Sequence, residues 1–296
     1  MTAQLVSGKA LADEIQKGLA VRVQEVEKRL GRPPGLAVVL VGDNPASQVY
    51  VRSKTKNAQK CGIHVVDLHL ESNTAAPALH RALQKLNIDP AVDGILLQLP
   101  LPKGLDEFSA LMCISPEKDA DGLHPTNQGL LLRGAEAPRP CTPCGVMKLI
   151  DRALVQLGLP EHLKTPDLSG MHAVVVGRSI LVGKPVALML LERDCTVEVC
   201  HSKTKDLGAS CRRADILVAA VGRPRMITGD YLKPGAIVVD VGINHDLAGS
   251  LCGDVDFESA KEVAAAITPV PGGVGPMTIA VLLSNTVDAA MRKAAN

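Results

Sequence analysis

The sequence predicts an α/β protein with two βαβ domains, the C-terminal one Rossmann-like. Short unbroken apolar runs alternate with amphipathic segments, as expected for strands buried on both faces between helices. A length of 296 residues fits two domains. A hydrophobic fraction of 46% with only 1% aromatic residues indicates aliphatic cores.

The composition argues against several functional classes. A formal net charge of +1 gives no electrostatic basis for binding nucleic acid or an anionic membrane. We see no apolar run long enough to span a bilayer and no signal or transit pattern in residues 1–9, so we expect a soluble cytoplasmic protein. The eight scattered cysteines suit a reducing compartment, and the lone pair Cys141 and Cys144 lacks the partners of a metal site. No metal is expected.

The first half of the chain contains three predicted parallel strands. Apolar residues at helical spacing predict a helix over 9–30, which the Gly- and Pro-rich residues 31–35 end. Ligands of parallel sheets collect at the carboxyl ends of strands, where Gln98 and the helix that begins after Asn44 are expected. The predicted strands are Leu36–Val41, Ile63–Leu70 and Gly94–Pro100, with helices after Asn44 and over 75–86.

The second half repeats the alternation. A helix over 143–157 precedes it, and we place the domain boundary near the start of this helix. A helix from Pro276 to about Arg292 ends the chain, since proline suits the first helical position. The predicted strands are His172–Gly177, Thr196–His201, Ile216–Val221 and Ala236–Val241.

A tyrosine and a lysine one helical turn apart are the first candidate for chemistry. In a helix capped by Asn44, Tyr50 and Lys54 lie on one face. A partly dehydrated lysine beside an aromatic ring can serve as a base near neutral pH. The alternative is a solvated face, with Lys54, Lys56 and Lys60 in water.

The segment from Ser115 to Pro125 contains two carboxylates. Asp119-x-Asp121-Gly122 superficially resembles a calcium loop, but the glycine comes too early and no glutamate closes the loop. Two interpretations stay open. The segment is either a polar turn, in which Asp bonds its own backbone, or it supplies a carboxylate for the edge of a polar heterocycle.

A glycine loop between a strand and a helix is the candidate dinucleotide site. The strand ending at Gly177 leads through Gly183 into a helix, an arrangement that holds a pyrophosphate on backbone N–H groups, although it departs from G-x-G-x-x-G. Residues 201–204 contain no acid where NAD enzymes carry one, and with Arg178 they can donate to a 2′-phosphate, which favours NADP. The alternative is a basic turn.

Glycines also follow the next two strands. Gly222 and Gly242 let a flat cofactor approach the backbone. The Pro- and Gly-rich run 269–276 lets backbone lie against a ligand, or it is a rigid connector.

Five motifs occur together and in order across the chain. With these motifs, the sequence closely resembles the bifunctional methylenetetrahydrofolate dehydrogenase / methenyltetrahydrofolate cyclohydrolase family. The motifs are Tyr50-Val51-x-x-Lys54, Gln98-Leu99-Pro100, Lys118-Asp119-x-Asp121-Gly122, Gly177-Arg178-Ser179-x-x-Val182-Gly183-x-Pro185 and residues 269–278.

The resemblance implies two reactions on one folate carbon. NADP⁺ takes a hydride from 5,10-methylenetetrahydrofolate, and the 5,10-methenyl product is hydrolysed to 10-formyltetrahydrofolate. It also implies a folate-binding catalytic domain (1–142) completed by the C-terminal helix (276–296), a Rossmann-like NADP-binding domain (143–275), a cleft between them, and a homodimer built on the NADP domains. The alternatives are another NADP-dependent two-domain dehydrogenase and a non-catalytic nucleotide-binding regulator.

The resemblance assigns roles by position. It implies Lys54 as the proton-handling group, Gln98 as its partner, Tyr50 as a stacking residue for the aminobenzoyl ring and Asp121 as the pterin-binding carboxylate. Further substrate contacts are implied at Leu97, Leu99, Pro271, Gly272, Gly273, Val274 and Gly275. Cofactor contacts are implied at Gly177, Arg178, Ser179, Ser202 and Ile243.

Overall fold

The computed structural model describes residues 2–159, 165–246 and 248–295. In chain order its helices and strands are β1 (Gln4–Leu5), α1 (Gly8–Leu30), β2 (Gly35–Val41), α2 (Pro45–Lys60), β3 (His64–Leu70), α3 (Ala76–Ile88), β4 (Gly94–Leu97), α4 (Glu107–Met112), α5 (Pro125–Leu132), α6 (Cys141–Gln156), β5 (His172–Val176), α7 (Gly183–Leu191), β6 (Thr196–Cys200), α8 (Leu207–Cys211), β7 (Ile216–Ala219), β8 (Ile237–Asp240), β9 (Asn244–His245), β10 (Leu251–Cys252), α9 (Phe257–Ala260), β11 (Ala266–Ile267) and α10 (Val274–Ala295).

The chain separates into two compact units, which we name by their sheets. The six-stranded unit comprises Met1–Ala12 and Thr142–Thr278, and the three-stranded unit comprises Asp13–Cys141 and Ile279–Asn296. Both sheets are parallel throughout their described pairings. The predicted α/β class is therefore confirmed.

The three-stranded unit has the order β3-β2-β4. Every residue of β2 is buried, as its unbroken apolar run predicts. Helix α2 begins after β2 because Asn44 Oδ1 accepts from the backbone N–H of Ser47 at 3.1 Å and Pro45 takes the first helical position. The backbone N–H of Gln98 donates to Val39 O at 2.9 Å, which continues the pairing of β4 and fixes where Gln98 leaves the sheet.

The six-stranded unit has the order β1-β11-β8-β7-β5-β6. Its core is aliphatic, with Val174, Leu217 and Val238 fully buried on the central strands. Strand β1 pairs with β11, and Val6 N donates to Ile267 O at 2.9 Å. Residues 1–12 therefore group with this unit, whereas the sequence placed them in the first domain. A two-residue strand is too short to show the periodicity that would have revealed this. The assignment of folate and NADP to separate domains stays a prediction.

Helix α10 differs from the expectation that no segment is long enough to span a membrane. Within the described residues it is the one helix that is long and apolar enough by length and composition, and half of its apolar window is buried inside the protein. Its C-terminal part packs in the three-stranded unit, where Asp288 pairs with Arg22 and Lys293 Nζ donates to Pro90 O at 2.9 Å. Leu282, Leu283 and Val287 are fully buried, so this part of α10 is a core helix with a polar outer face.

Candidate active site

Lys54 lies on the buried face of α2. Its side chain is only 7% exposed, and its Nζ donates a hydrogen bond to Gln98 Oε1 at 3.0 Å. Gln98 Nε2 in turn donates to Leu99 O at 2.6 Å, so the amide is oriented with its oxygen towards the amine. Lys56 and Lys60 are exposed. The solvated-face interpretation therefore fits those two lysines but is wrong for Lys54.

The neighbours of this pair differ in exposure. Tyr50, one helical turn before Lys54, is 40% exposed, so its ring is open to a ligand. Leu97 is 2% exposed and belongs to the core, so only its backbone is available for a substrate contact. Leu99 is partly exposed. The side chains of Lys54 and Gln98 are thus brought together.

The two carboxylates of the 115–125 segment have different surroundings. Asp119 is buried and accepts hydrogen bonds from Gly122 N at 3.0 Å, His124 N at 2.7 Å and Asn127 Nδ2 at 2.9 Å. Burial raises the pKa of Asp119, against the effect of these bonds. The polar-turn interpretation is therefore right for Asp119. Asp121 is only partly buried, which leaves the ligand-binding interpretation open for it.

A residue that sequence reasoning missed holds the Asp121 loop. Asn285 of α10 donates through Nδ2 to Ala120 O and to Arg139 O, both at 3.0 Å. The backbone N–H of Cys141 donates to Asp121 O at 3.2 Å. Gly122 has φ +71°, and a Cβ there would lie 2.3 Å from the carbonyl carbon of Arg139. In the sequence, Asn285 is recognisable as a polar residue within an otherwise apolar stretch of the C-terminal helix.

The glycine loop after β5 is shaped by close packing. Gly177 has φ +134°, and a Cβ there would lie 2.1 Å from Ala220 O. Ser179 Oγ accepts from Val182 N at 3.1 Å and from Gly183 N at 3.4 Å, and so supports the start of α7. Arg178 is exposed. The loop therefore presents a cation beside a helix N-terminus, a combination that favours anions.

The turn after β6 is held by local hydrogen bonds. His201 N donates to Thr204 Oγ1 at 2.9 Å, and Lys203 N donates to His201 Nδ1 at 3.1 Å. Ser202 and Lys203 are both exposed. The basic-turn interpretation therefore describes the backbone, while two side chains able to donate hydrogen bonds stay accessible to a ligand.

Glycine is required after β7 and after β8 for different structural reasons. Gly222 has φ +67° with open space where its Cβ would be, which suits a close ligand. At Gly242 a Cβ would lie 2.5 Å from Asp254 Cγ, so this glycine accommodates a buried carboxylate. The approach of a cofactor to the backbone at Gly242 stays a prediction. Ile243, the next residue, is 51% exposed.

The Pro-Gly run lies against the start of α1. Lys9 N donates to Gly272 O at 2.9 Å, and a Cβ at Gly8 would lie 1.8 Å from Gly273 O. Gly273 and Val274 are buried, whereas Pro271 is exposed and Gly272 and Gly275 are partly exposed. The run is thus anchored within the six-stranded unit with part of its backbone accessible.

Among the described residues, no group of three or more His, Cys, Asp or Glu side chains could hold a metal ion. Cys141 is a buried thiol whose Sγ donates to Ala120 O at 3.3 Å. Helix α6 begins at Cys141, two residues before the predicted start at 143, and so includes both Cys141 and Cys144.

Comparisons with known proteins cover almost the whole chain. Residues 6–121 match the family model described as tetrahydrofolate dehydrogenase/cyclohydrolase, catalytic domain. Residues 140–294 match the corresponding NAD(P)-binding domain. The "Bifunctional protein FolD" of Bordetella bronchiseptica is 52% identical over 295 residues, covering 100% of both chains.

Solved structures show the same relationship. The bifunctional FolD methylenetetrahydrofolate dehydrogenase/cyclohydrolase of Campylobacter jejuni is 46% identical with a TM-score of 0.92, covering 98% of this chain and 99% of its own. The methylenetetrahydrofolate dehydrogenase-cyclohydrolase of Trypanosoma brucei, complexed with NADP and an inhibitor, is 40% identical with a TM-score of 0.91, covering 99% of each chain.

These matches decide against both alternatives, the unrelated two-domain dehydrogenase and the non-catalytic regulator. They also establish an NAD(P)-binding domain over the second half of the chain. The chain therefore belongs to the tetrahydrofolate dehydrogenase/cyclohydrolase family and is a bifunctional enzyme of folate one-carbon metabolism.

Proposed function

We propose that Lys54 handles the proton in the hydrolysis of 5,10-methenyltetrahydrofolate, and that NADP⁺ accepts the hydride in the preceding oxidation. The observation that carries the first part is the buried amine of Lys54, hydrogen-bonded to Gln98 Oε1 at 3.0 Å. An amine held away from water and oriented by one acceptor is suited to proton transfer at a fixed position.

The two reactions make different demands on the protein. Hydride loss from the methylene carbon leaves a delocalised amidinium cation, so this step depends on holding the nicotinamide face against that carbon. Hydration adds the oxygen of water to the cation and releases one proton, which a neighbouring group must accept before the ring opens. Lys54 is the candidate for that group, and Gln98 positions it.

Other residues are proposed to hold the folate. The exposed ring of Tyr50 offers a stacking surface for the aminobenzoyl group. The Asp121 carboxylate would accept from the amino and ring N–H donors of the pterin, which an amide cannot do with both of its terminal atoms. The accessible backbone of Pro271, Gly272 and Gly275 is proposed to lie beside the substrate, with Leu97 and Leu99 contributing at the strand end.

NADP in preference to NAD is proposed from the charge at the cofactor edge. Arg178 and Ser202 are exposed donors, and Lys203 adds a second cation. An acidic residue for a free ribose is absent from the described turn 201–204. When bound, the dinucleotide would accept the hydride in the oxidation step. The residues proposed to hold it are Gly177, Arg178, Ser179, Ser202 and Ile243.

The test of cofactor choice is a spectrophotometric assay of the purified protein. We expect NADP⁺ reduction that depends on both tetrahydrofolate and formaldehyde, which form the methylene substrate. We expect kcat/KM to be at least about tenfold higher with NADP⁺ than with NAD⁺, since a charge-assisted phosphate contact stabilises binding by roughly 1.5–3 kcal/mol. Comparable kcat/KM values for the two cofactors would refute the proposal.

Oligomeric state and location are also proposed. We infer a cytoplasmic homodimer built on the NADP domains, as the family resemblance implies. Light scattering after size exclusion should give about twice the chain mass of 31.1 kDa. A particle of the chain mass at micromolar concentration would contradict the dimer.

A further inference from the structure

We propose that Asp254 is a positioning residue for the cofactor, because its buried carboxylate fixes the loops after β7 and β8. This inference rests on the proposed place of NADP at the carboxyl ends of these strands. No ligand contact by Asp254 itself is involved.

Asp254 is fully buried, at 0% exposure, and four donors converge on it. Its Oδ2 accepts from Val221 N at 2.6 Å and Gly222 N at 3.0 Å. Its Oδ1 accepts from Arg223 N and from Asn244 Nδ2, both at 2.8 Å. Three consecutive backbone N–H groups after β7 therefore point at one carboxylate.

A second carboxylate extends the network to β8. Asp240, the last residue of β8, accepts through Oδ1 from Gly242 N and Asp254 N, and through Oδ2 from Val255 N, all at 2.9 Å. The loop after β7, the loop after β8 and residues 253–255 are thus one hydrogen-bonded assembly. Gly242 has no side chain because Asp254 occupies the space.

This assembly defines two features that a cofactor would meet. The open side of Gly222 lies in the loop that Asp254 holds. Ile243 is 51% exposed, and both of its neighbours are anchored, Gly242 to Asp240 and Asn244 to Asp254. The backbone at Ile243 is therefore fixed before any ligand arrives, which reduces the ordering cost of binding.

A carboxylate is required at this position. Each oxygen of Asp254 faces two donors. An asparagine there would turn its NH₂ group against two N–H donors in either orientation, since an amide has only one acceptor atom. Asp254→Asn is therefore nearly isosteric but breaks the arrangement of one loop or the other.

The experiment compares the two activities of the full-length enzyme, because only the dehydrogenase uses NADP. We expect Asp254→Asn to raise KM for NADP⁺ at least about tenfold, because the loops after β7 and β8 lose hydrogen bonds to a carboxylate. The kcat/KM for methenyltetrahydrofolate hydrolysis should stay within about twofold. Asp256→Asn is the matched control, because Asp256 caps α9 and asparagine caps equally well. It should change neither activity.

Two results would overturn the proposal: an unchanged KM for NADP⁺ in Asp254→Asn, or a proportional fall of both activities. If Asp254→Asn does not fold, Asn244→Ala decides, since it removes one donor and leaves the backbone bonds. A rise in KM for NADP⁺ with normal hydrolysis supports the proposal, and an unchanged KM overturns it. Failure of the proposed function itself would be recognised separately, as absent NADP⁺ reduction by the wild-type enzyme.

Discussion

Replacing Lys54 by methionine tests the division of labour between hydration and hydride transfer. Methionine keeps most of the length of the lysine stem, which is 7% exposed, but has no amine. Positioned proton transfer contributes about 10²- to 10⁴-fold to a rate, so the cyclohydrolase kcat should fall by about that factor. The dehydrogenase needs no base at this position and should lose less than about tenfold.

The same substitution has a limited structural cost. It removes one hydrogen bond, that of Lys54 Nζ to Gln98 Oε1 at 3.0 Å, worth about 0.5–1.5 kcal/mol. Gln98 is partly exposed, so its amide oxygen can bond to water instead, and we expect the free energy of unfolding to fall by less than about 2 kcal/mol.

Separate assays on one preparation check this prediction. Hydrolysis is followed by the decay of added methenyltetrahydrofolate, and oxidation is followed by formation of reduced NADP from the methylene substrate. Lys56→Met is the matched control, because Lys56 lies on the same helix but is exposed, and it should leave both rates unchanged. Equal losses of both activities with intact folate binding would refute the reasoning.

Two further predictions concern carboxylates. Asp121→Asn should raise KM for the folate substrates of both reactions at least about tenfold, since it removes a charged acceptor; steady-state kinetics with unchanged KM values would contradict the pterin role. Burial raises the pKa of Asp240 from 3.8 to about 6, so the folded chain binds this proton more tightly than the unfolded chain. This carboxyl should therefore lower the free energy of unfolding by about 3 kcal/mol as pH rises from about 4 to 6. Chemical denaturation across that range should show a smaller decline in Asp240→Asn than in wild type, and identical declines would exclude the effect.

The elements with strong local signals were predictable from the sequence. The unbroken apolar run before Val41 and the Asn44-Pro45 cap located β2 and α2, because burial and capping act within a few residues. The short pairing of β1 with β11 was not predictable, since it joins residues more than 250 positions apart and has only two residues on each side. Such contacts depend on tertiary packing and leave no periodic trace.

The reactive side chains of the candidate site were predictable from the sequence, but their burial and the hydrogen bonds that hold the surrounding loops were not. Tyr50 and Lys54 could be placed on one helix from spacing alone, and the burial of Lys54 is seen only in the fold. Asp119 and Asp121 look equivalent in the sequence, yet the Asp119 carboxylate accepts hydrogen bonds from backbone N–H groups of its own turn. Asn285 and Asp254 act through backbone groups distant in sequence, so no local pattern could reveal their partners.

The residues proposed for the two reactions fall in different units of the chain, and this makes a reciprocal test possible. Lys54 and Gln98 belong to the three-stranded unit, whereas Asp254 and its loops belong to the six-stranded unit. At NADP⁺ concentrations well below the raised KM, Lys54→Met should form methenyltetrahydrofolate with little hydrolysis, and Asp254→Asn should hydrolyse methenyltetrahydrofolate but form it slowly. Mixing the two variants should restore conversion of the methylene substrate to 10-formyltetrahydrofolate, because the methenyl product of one enzyme can diffuse to the other. A mixture no faster than the sum of the separate variants would show that at least one of the two assignments is wrong.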